Sequence, residues 1–214
     1  KPQAGLFEPF GAEGVRLGRL VNELLPGRAE AEGLLALMLL HDARRDARSD
    51  ALGELVPLEE QDRGRWHAAR IREGLAWLDD ALARRDAGPF QLQAAIAALH
   101  ARAAIAADTD WPQIAALYAA LHRLQPTAIV ELNAAVATAM AEGLDVGLRW
   151  LDAIAQRGEL ADYHLVAAAR ADLLRRSARH AEAALAYAQA LQQVRNPAER
   201  AYLERRLREA QASA

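Results

Sequence analysis

The sequence predicts an all-α protein assembled from repeated helix pairs, and three observations predict it. Alanine and leucine, the strongest helix formers, dominate the composition while β-branched residues are few. Two runs echo one another: Leu117-Tyr118-Ala119-Ala120-Leu121 and Ala186-Tyr187-Ala188-Gln189-Ala190-Leu191 place their tyrosines 69 residues apart. Each run is followed by a helix-stopping proline, Pro126 and Pro197.

That separation is close to two periods of the ~34-residue tetratricopeptide (TPR) repeat. A helix pair of this kind cannot bury its apolar stripe alone, so successive pairs stack into a curved solenoid whose concave face binds a partner. The expected architecture is a TPR-like α-solenoid of about ten helices. We expect one helical domain over residues 1–214, with N-terminal helices over 10–107 and an irregular loop at 49–61. TPR-like helix pairs and a capping helix are expected over 108–214.

The first helix is expected from near Phe10 to Leu25, where Leu17, Leu20, Val21, Leu24 and Leu25 form one stripe. Pro26-Gly27 ends it. The second, from Arg28 to Ala47, contains Leu34-Leu35-Ala36-Leu37-Met38-Leu39-Leu40, apolar all round and therefore surrounded by other helices. Gly33 permits close approach of a neighbour. Residues 49–61 are the longest irregular stretch, broken by Gly53 and Pro57 and carrying Glu54, Glu59 and Glu60. Asp62 reads as the N-cap of a helix through Trp66, Ile71, Leu75, Trp77 and Leu78. Gly88-Pro89 opens the next helix, with Pro89 at its first position and Leu92, Ile96 and Leu99 on its buried face. Gln91 and Gln93, near that start, are expected to face solvent.

From Asp110 the repeat register is clearest. Asp110 with Gln113 three residues on fits a capping pattern. Helices are expected over 110–124, 127–141, 144–156, 159–177 and 180–194, separated by Pro126, Gly143, Gly158 and Arg179-His180. In the last of these, Ala183, Tyr187 and Ala190 take the small, aromatic and small positions by which a second TPR helix packs. Asn196 caps the closing helix, where Glu199 can reach back to the Asn196 backbone. The polar side of that helix, with Arg200, Glu204, Arg205, Arg206, Arg208 and Glu209, suits a terminal cap.

Composition narrows the function. A formal net charge of −3 gives no global attraction to nucleic acid or to an anionic membrane. Lys1 is the only lysine, a bias that a GC-rich coding background produces. No apolar run approaches a membrane span, and the absence of cysteine excludes disulfides and thiolate sites. A cytoplasmic location is expected. The chain starts at Lys1 without a methionine or a signal-like segment, so we expect a fragment of something longer.

Signs of chemistry are few. His41, His67, His100, His122, His164 and His180 fall on separate expected helices, none with the His-Glu-x-x-His spacing of a zinc site. Neither a phosphate-cradling glycine loop nor a nucleophile elbow is present. No catalytic residue, metal or cofactor is therefore expected. The densest polar cluster is His41, Asp42, Arg44, Arg45, Asp46 and Arg48, followed after the loop by Glu59, Glu60, Asp62, Arg63, Arg65 and Trp66. Arginines beside an aromatic ring dominate binding hot spots, which makes Arg44, Arg45, Asp62, Arg63, Arg65 and Trp66 the candidate partner-binding residues. The plainer alternative has Arg44 and Arg45 answer the dipole at the end of the second helix, with Trp66 as core.

Several segments carry a resemblance. They are Leu37-Met38-Leu39-Leu40-His41-Asp42-Ala43-Arg44-Arg45, Leu55-Val56-Pro57-Leu58-Glu59-Glu60-Gln61-Asp62-Arg63-Gly64-Arg65-Trp66, Gln91-Leu92-Gln93-Ala94-Ala95-Ile96-Ala97-Ala98-Leu99-His100, and Ala107-Asp108-Thr109-Asp110-Trp111. With Tyr163-His164 and Ala169-Arg170-Ala171-Asp172-Leu173-Leu174-Arg175-Arg176, the chain from Val15 to Leu207 resembles the C-terminal extension of one group of extracytoplasmic-function (ECF) RNA polymerase sigma factors. The opening Leu6-Phe7-Glu8-Pro9-Phe10 departs from that pattern. The resemblance implies a TPR-like module that follows the two sigma regions contacting polymerase and promoter. It implies transcription regulation through a protein partner: the sigma regions of the same chain, RNA polymerase or a regulator. The chain has no helix-turn-helix of its own, so direct DNA binding is not expected. Two other readings stand beside it, a stand-alone TPR-like adaptor for a peptide or protein and a small-molecule-sensing helical domain.

Overall fold

The computed structural model describes residues 11–51 and 53–214, so the expected start at Phe10 and the segment Leu6 to Phe10 lie outside the described residues. Ten α-helices and no β-strand form among the described residues. They divide between two compact units, each with its own core.

Among the described residues, the first unit comprises 11–51, 56–110 and 123–125. It holds α1 (Ala12–Leu24), α2 (Ala29–Asp42), α3 (Ala68–Ala83) and α4 (Pro89–Arg102). The apolar α2 lies at its centre, in contact with the other three helices, and buries Leu35, Ala36, Leu37, Leu39 and Leu40. Gly33 lets α2 approach α4 closely. A Cβ there would stand 2.7 Å from Gln91 Cγ and 2.9 Å from the Gln91 backbone nitrogen, a separation that only glycine tolerates.

Several local expectations need correction in this unit. Gln91 is fully buried, because its side chain donates to Asp86 O at 2.5 Å and to Glu30 Oε1 at 3.3 Å. Glu30 also accepts from the Phe90 and Gln91 backbone N–H groups, placing a carboxylate on the positive end of α4. Gln93 is half-buried and bonds Pro89 O. On α1 the stripe of Leu17, Leu20, Leu24 and Leu25 is exposed, while Val15, Gly18 and Asn22 form the buried side. The α2 helix stops at Asp42 and gives way to a 3-10 turn, Arg45–Ala47. Asp62 caps no α-helix: its carboxylate accepts from Gly64 N–H at 2.9 Å and closes the 3-10 turn Arg63–Arg65. That leaves Trp66 in the connection, and α3 begins only at Ala68.

The second unit comprises residues 53–55, 111–122 and 126–214. It holds most of α5 (Trp111–Leu124) together with α6 (Ala128–Glu142), α7 (Leu144–Arg157), α8 (His164–Arg176), α9 (His180–Gln193) and α10 (Pro197–Ala212). From α6 onward each helix packs on the next in sequence, the nearest-neighbour stacking of a helical repeat. One continuous core runs through this stack, from Leu132 and Leu151 to Leu174, Tyr187 and Leu203. Ala183, Tyr187 and Ala190 are fully or almost fully buried, in the small-aromatic-small positions the repeat requires. Gly158, at φ 74°, ends α7 in the left-handed conformation. The Asn196 side chain accepts from the Ala198 and Glu199 N–H groups and caps α10. Glu199 does not reach back to the cap; its Oε2 stands 3.2 Å from His164 Nε2. The α8 helix starts at His164, later than expected, because residues 159–162 form turns.

Candidate functional site

The expected cluster assembles around Trp66 inside the first unit. Trp66 is 7% exposed, so the indole is core, and its Nε1–H is buried with no hydrogen-bond acceptor. Two guanidiniums lie over its ring, Arg63 at 4.5 Å and Arg44 at 5.8 Å from the centroid. Stacking on an aromatic face attracts a cation and shields one side of it from water. The ring is buried by the arginines that it supports.

Two helix ends bring the cluster together. Past the last turn of α2, Arg48 Nη2 donates to His41 O at 2.8 Å. Past the last turn of α4, Arg63 Nη1 donates to His100 O at 2.5 Å and to Ala103 O at 2.9 Å. Carbonyls at a helix C-terminus lack intrahelical partners and carry partial negative charge, which is why cations gather there. Arg44 and Arg45 were expected to answer the α2 dipole, but Arg48 does so. Arg44 Nη2 instead lies 3.3 Å from His41 Nδ1, and Arg48 Nη2 lies 3.5 Å from the same atom. A guanidinium only donates, so this nitrogen accepts from both, and the ring is neutral with its proton on Nε2.

The electrostatics follow from this crowding. Burial, then the charges of Arg44, Arg48 and His100, pushes His41 down to about 3. Burial, then Arg44 and Arg63, pushes His100 down to about 4. Arg44 itself falls to about 10 through burial and its neighbours Arg48 and Arg63. Burial also lowers Arg48 and Arg63, with Asp108 pulling Arg63 the other way. Positive charge is concentrated here, and it is half-buried.

The remaining candidates stand apart. Arg45 is exposed, 3.6 Å from Asp42 and 3.5 Å from Asp46. Asp42 is buried and pairs with Arg70, while Asp46 meets His67 Nε2 at 2.7 Å. These contacts clamp the start of α3 to the end of α2. Asp62 and Arg65 are exposed. Of the six candidates, Arg44, Arg63 and Trp66 come together. His41, Arg48 and His100 join them and were not among the six. His41, Arg44 and Arg48 stand close in sequence, but α2 stops at Asp42, so helical spacing does not bring them together. No local signal connected His100.

A second feature of the first unit is a cleft of about 280 Å³ lined by Arg19, Asn22, Glu23, Pro26, Glu32 and Trp77. Its buried polar groups are engaged within the protein. Asn22 donates to Gly18 O and Ala31 O, and Glu32 forms a two-pronged pair with Arg84. Among the described residues no three metal-capable side chains gather, and no helix is long and apolar enough to cross a membrane.

Similarity to other proteins covers both units unevenly. Residues 5–82 match a family of unknown function, DUF6596, so the matched stretch includes α1, α2, Trp66 and most of α3. An uncharacterized protein, R00370, of Rhizobium meliloti (strain 1021) is 44% identical over 195 residues, covering 91% of this chain and 46% of that protein. No solved structure matches the chain. The chain thus spans about half the length of the curated relative it matches.

Proposed function

We propose that the chain is a non-catalytic protein-interaction module that, within a longer ECF-type sigma factor, modulates transcription initiation through contacts with protein. The observation that carries this reading is the arginine cluster seated on a buried tryptophan, a composition and burial typical of binding hot spots. The helix-pair stack from α6 to α10 supports it, since repeat scaffolds present recognition surfaces and leave chemistry to others. A relative about twice as long is consistent with a module tethered beside other regions, where even weak contacts are well populated. Its partners in this reading are the sigma regions of the same polypeptide, RNA polymerase or a regulator, in the cytoplasm. With a net charge of −3, the chain by itself binds DNA weakly or not at all.

The test is a reporter assay at matched protein level, comparing the full-length factor with one truncated before Val15. A changed transcript level is expected. Unchanged transcription removes the reading. The cleft beside Trp77 is what favours a small-molecule-sensing domain instead. Its buried polar groups, Asn22 and Glu32, already have partners within the protein, so the protein-contact reading is the stronger.

A further inference from the structure

We infer that the cleft which α1 shares with Trp77 of α3 is a binding site for a primary ammonium group, held by the carboxylate of Glu23 and the side-chain carbonyl of Asn22. This site goes beyond the protein-contact reading and lies apart from the arginine cluster, so either can fail without the other.

The first argument is an ion pair that does not form. Arg19, Asn22 and Glu23 share one face of α1, at the three- and four-residue spacings of a helix, and that face forms a wall of the cleft. Arg19, four residues before Glu23, is the cation that helical spacing offers it. Arg19 instead pairs with Glu73 of α3 at 2.5 Å. Arg84, beside Gly27 of the cleft wall, is held by both oxygens of Glu32. Both cations are thus matched, and among the described residues none pairs with the exposed Glu23. Glu23 also stands in the last turn of α1, which carries no basic residue. The partial negative charge of that helix end therefore adds to its carboxylate, and the two together attract a cation.

The second argument is geometry. Asn22 is 8% exposed, and its Nδ2 donates to Gly18 O at 3.0 Å and to Ala31 O at 2.9 Å. Two carbonyl acceptors consume both amide hydrogens and fix which way the amide points. Its Oδ1 is then the polar atom left over, and no donor among the described residues meets it. Because the amide is pinned to both α1 and α2, this acceptor is set in place before a ligand arrives, which lowers the ordering cost of binding.

The third argument selects the cation. Trp77 is half-buried and gives the cleft an indole surface, which suits the methylenes next to an amine as well as its charge. At about 280 Å³ the cleft falls just under the usual range for sites that enclose a drug-sized ligand, so it fits an ammonium on a short alkyl chain. A primary ammonium has three N–H donors to divide between Glu23 and Asn22 Oδ1. A quaternary ammonium has none, and one indole is not the aromatic cage that such an ion requires. The shared chemistry belongs equally to a free alkylamine and to the side chain of a lysine.

The experiment titrates the whole chain, isotope-labelled, with n-butylammonium chloride while following the Asn22 side-chain amide and Trp77 indole N–H signals. Saturable shifts at both are expected. Glu23→Gln should weaken binding about tenfold, the effect of one lost charge-assisted hydrogen bond. Its melting temperature should match the parent's, since the exposed Glu23 carboxylate makes no ion pair. Glu13→Gln, at the opposite end of α1, should bind as the parent does. Tetramethylammonium should bind at least about tenfold more weakly, and butyrate should produce no saturable shift. A lysine peptide blocked at both ends separates the two sources. Shifts that match those of butylammonium identify a protein side chain, shifts from butylammonium alone identify a free amine, and both results uphold the ammonium site. The inference is overturned if butylammonium fails to saturate, if Glu23→Gln binds as tightly as the parent, or if tetramethylammonium or butyrate equals the primary amine.

Discussion

Arginines serve two different purposes in two regions of this molecule. Along the α6 to α10 stack they sit against carboxylates: Arg157 with Glu131, Arg170 with Asp152, Arg175 and Arg176 with Asp172, Arg179 with Glu182, and Arg206 with Glu209. At the ends of α2 and α4 they sit against carbonyls, an imidazole and an indole. The first arrangement closes locally, because each cation meets a carboxylate, one of which Arg175 and Arg176 share. The second seats its cations on helix ends and on an aromatic face. Counting arginines therefore says little about recognition. What an arginine faces separates a surface ion pair from a cation seated on carbonyls and an aromatic ring.

The largest effects should come from removing the ring at the centre of each region. Tyr187→Ala in the stack and Trp66→Ala under the arginines should each cost about 3–5 kcal/mol, as loss of a large buried aromatic does. Chemical denaturation measures both. They should part company in function. Trp66→Phe, which retains most of the packing, should reduce partner-dependent transcription, whereas Tyr187→Phe should leave it intact. A Trp66→Ala protein with an unchanged melting curve would contradict the placement of the indole in the core.

Acid should separate the regions next. An unfolded histidine titrates near 6.5, while His41 and His100 stay neutral down to about 3 and about 4. As pH falls, the unfolded chain takes up these protons first. The stability present above pH 6.5 is thus lost progressively from there toward pH 4 and pH 3. At pH 5 the loss is on the order of 2 kcal/mol for each histidine. Replacing both with glutamine should flatten this slope in urea titrations run at pH 7 and pH 5, and an unaltered slope would show that the two rings are not held neutral.

A smaller change probes the contact that sets the first unit. Gly33→Ala forces its Cβ against the Gln91 backbone and should cost about 1–3 kcal/mol through overpacking. A thermal scan that matches the parent would mean that α4 can retreat freely. The smallest effect belongs to the stack surface. Breaking the partly exposed Arg170–Asp152 pair with Arg170→Gln should cost less than about 1 kcal/mol and become undetectable at high salt.

The two regions also differ in how much of them the sequence discloses. In the α6 to α10 stack, the signals and their consequences lie within a few residues of one another. The Gly158 stop, the Asn196 cap and the Ala183-Tyr187-Ala190 pattern all stand where periodicity places them. Around Trp66, local signals compete with distant ones. Asp62 looks like a helix cap, yet its carboxylate closes a tight turn to Gly64 and delays α3 to Ala68. Gln91 looks solvent-facing, yet Glu30, 61 residues earlier, pulls it inside. His100 enters the cluster because Arg63 reaches across 37 residues to its carbonyl. Composition does find half of the site, since an arginine-tryptophan cluster is unusual enough to mark by itself. The histidines and Arg48 require the tertiary fold, because what assigns them is the meeting of two helix ends.

The grip of Arg63 on the last carbonyls of α4 also has a consequence in time. Helix ends ordinarily fray, opening their final amides to solvent far more often than the rest of the helix. Here the end of α4 can unwind only when a side chain stacked on Trp66 lets go of His100 O and Ala103 O. The slowest terminal amides of the first unit should therefore lie at residues 100–103, exchanging with deuterium at the pace of Arg63's departure and not at that of a free helix end.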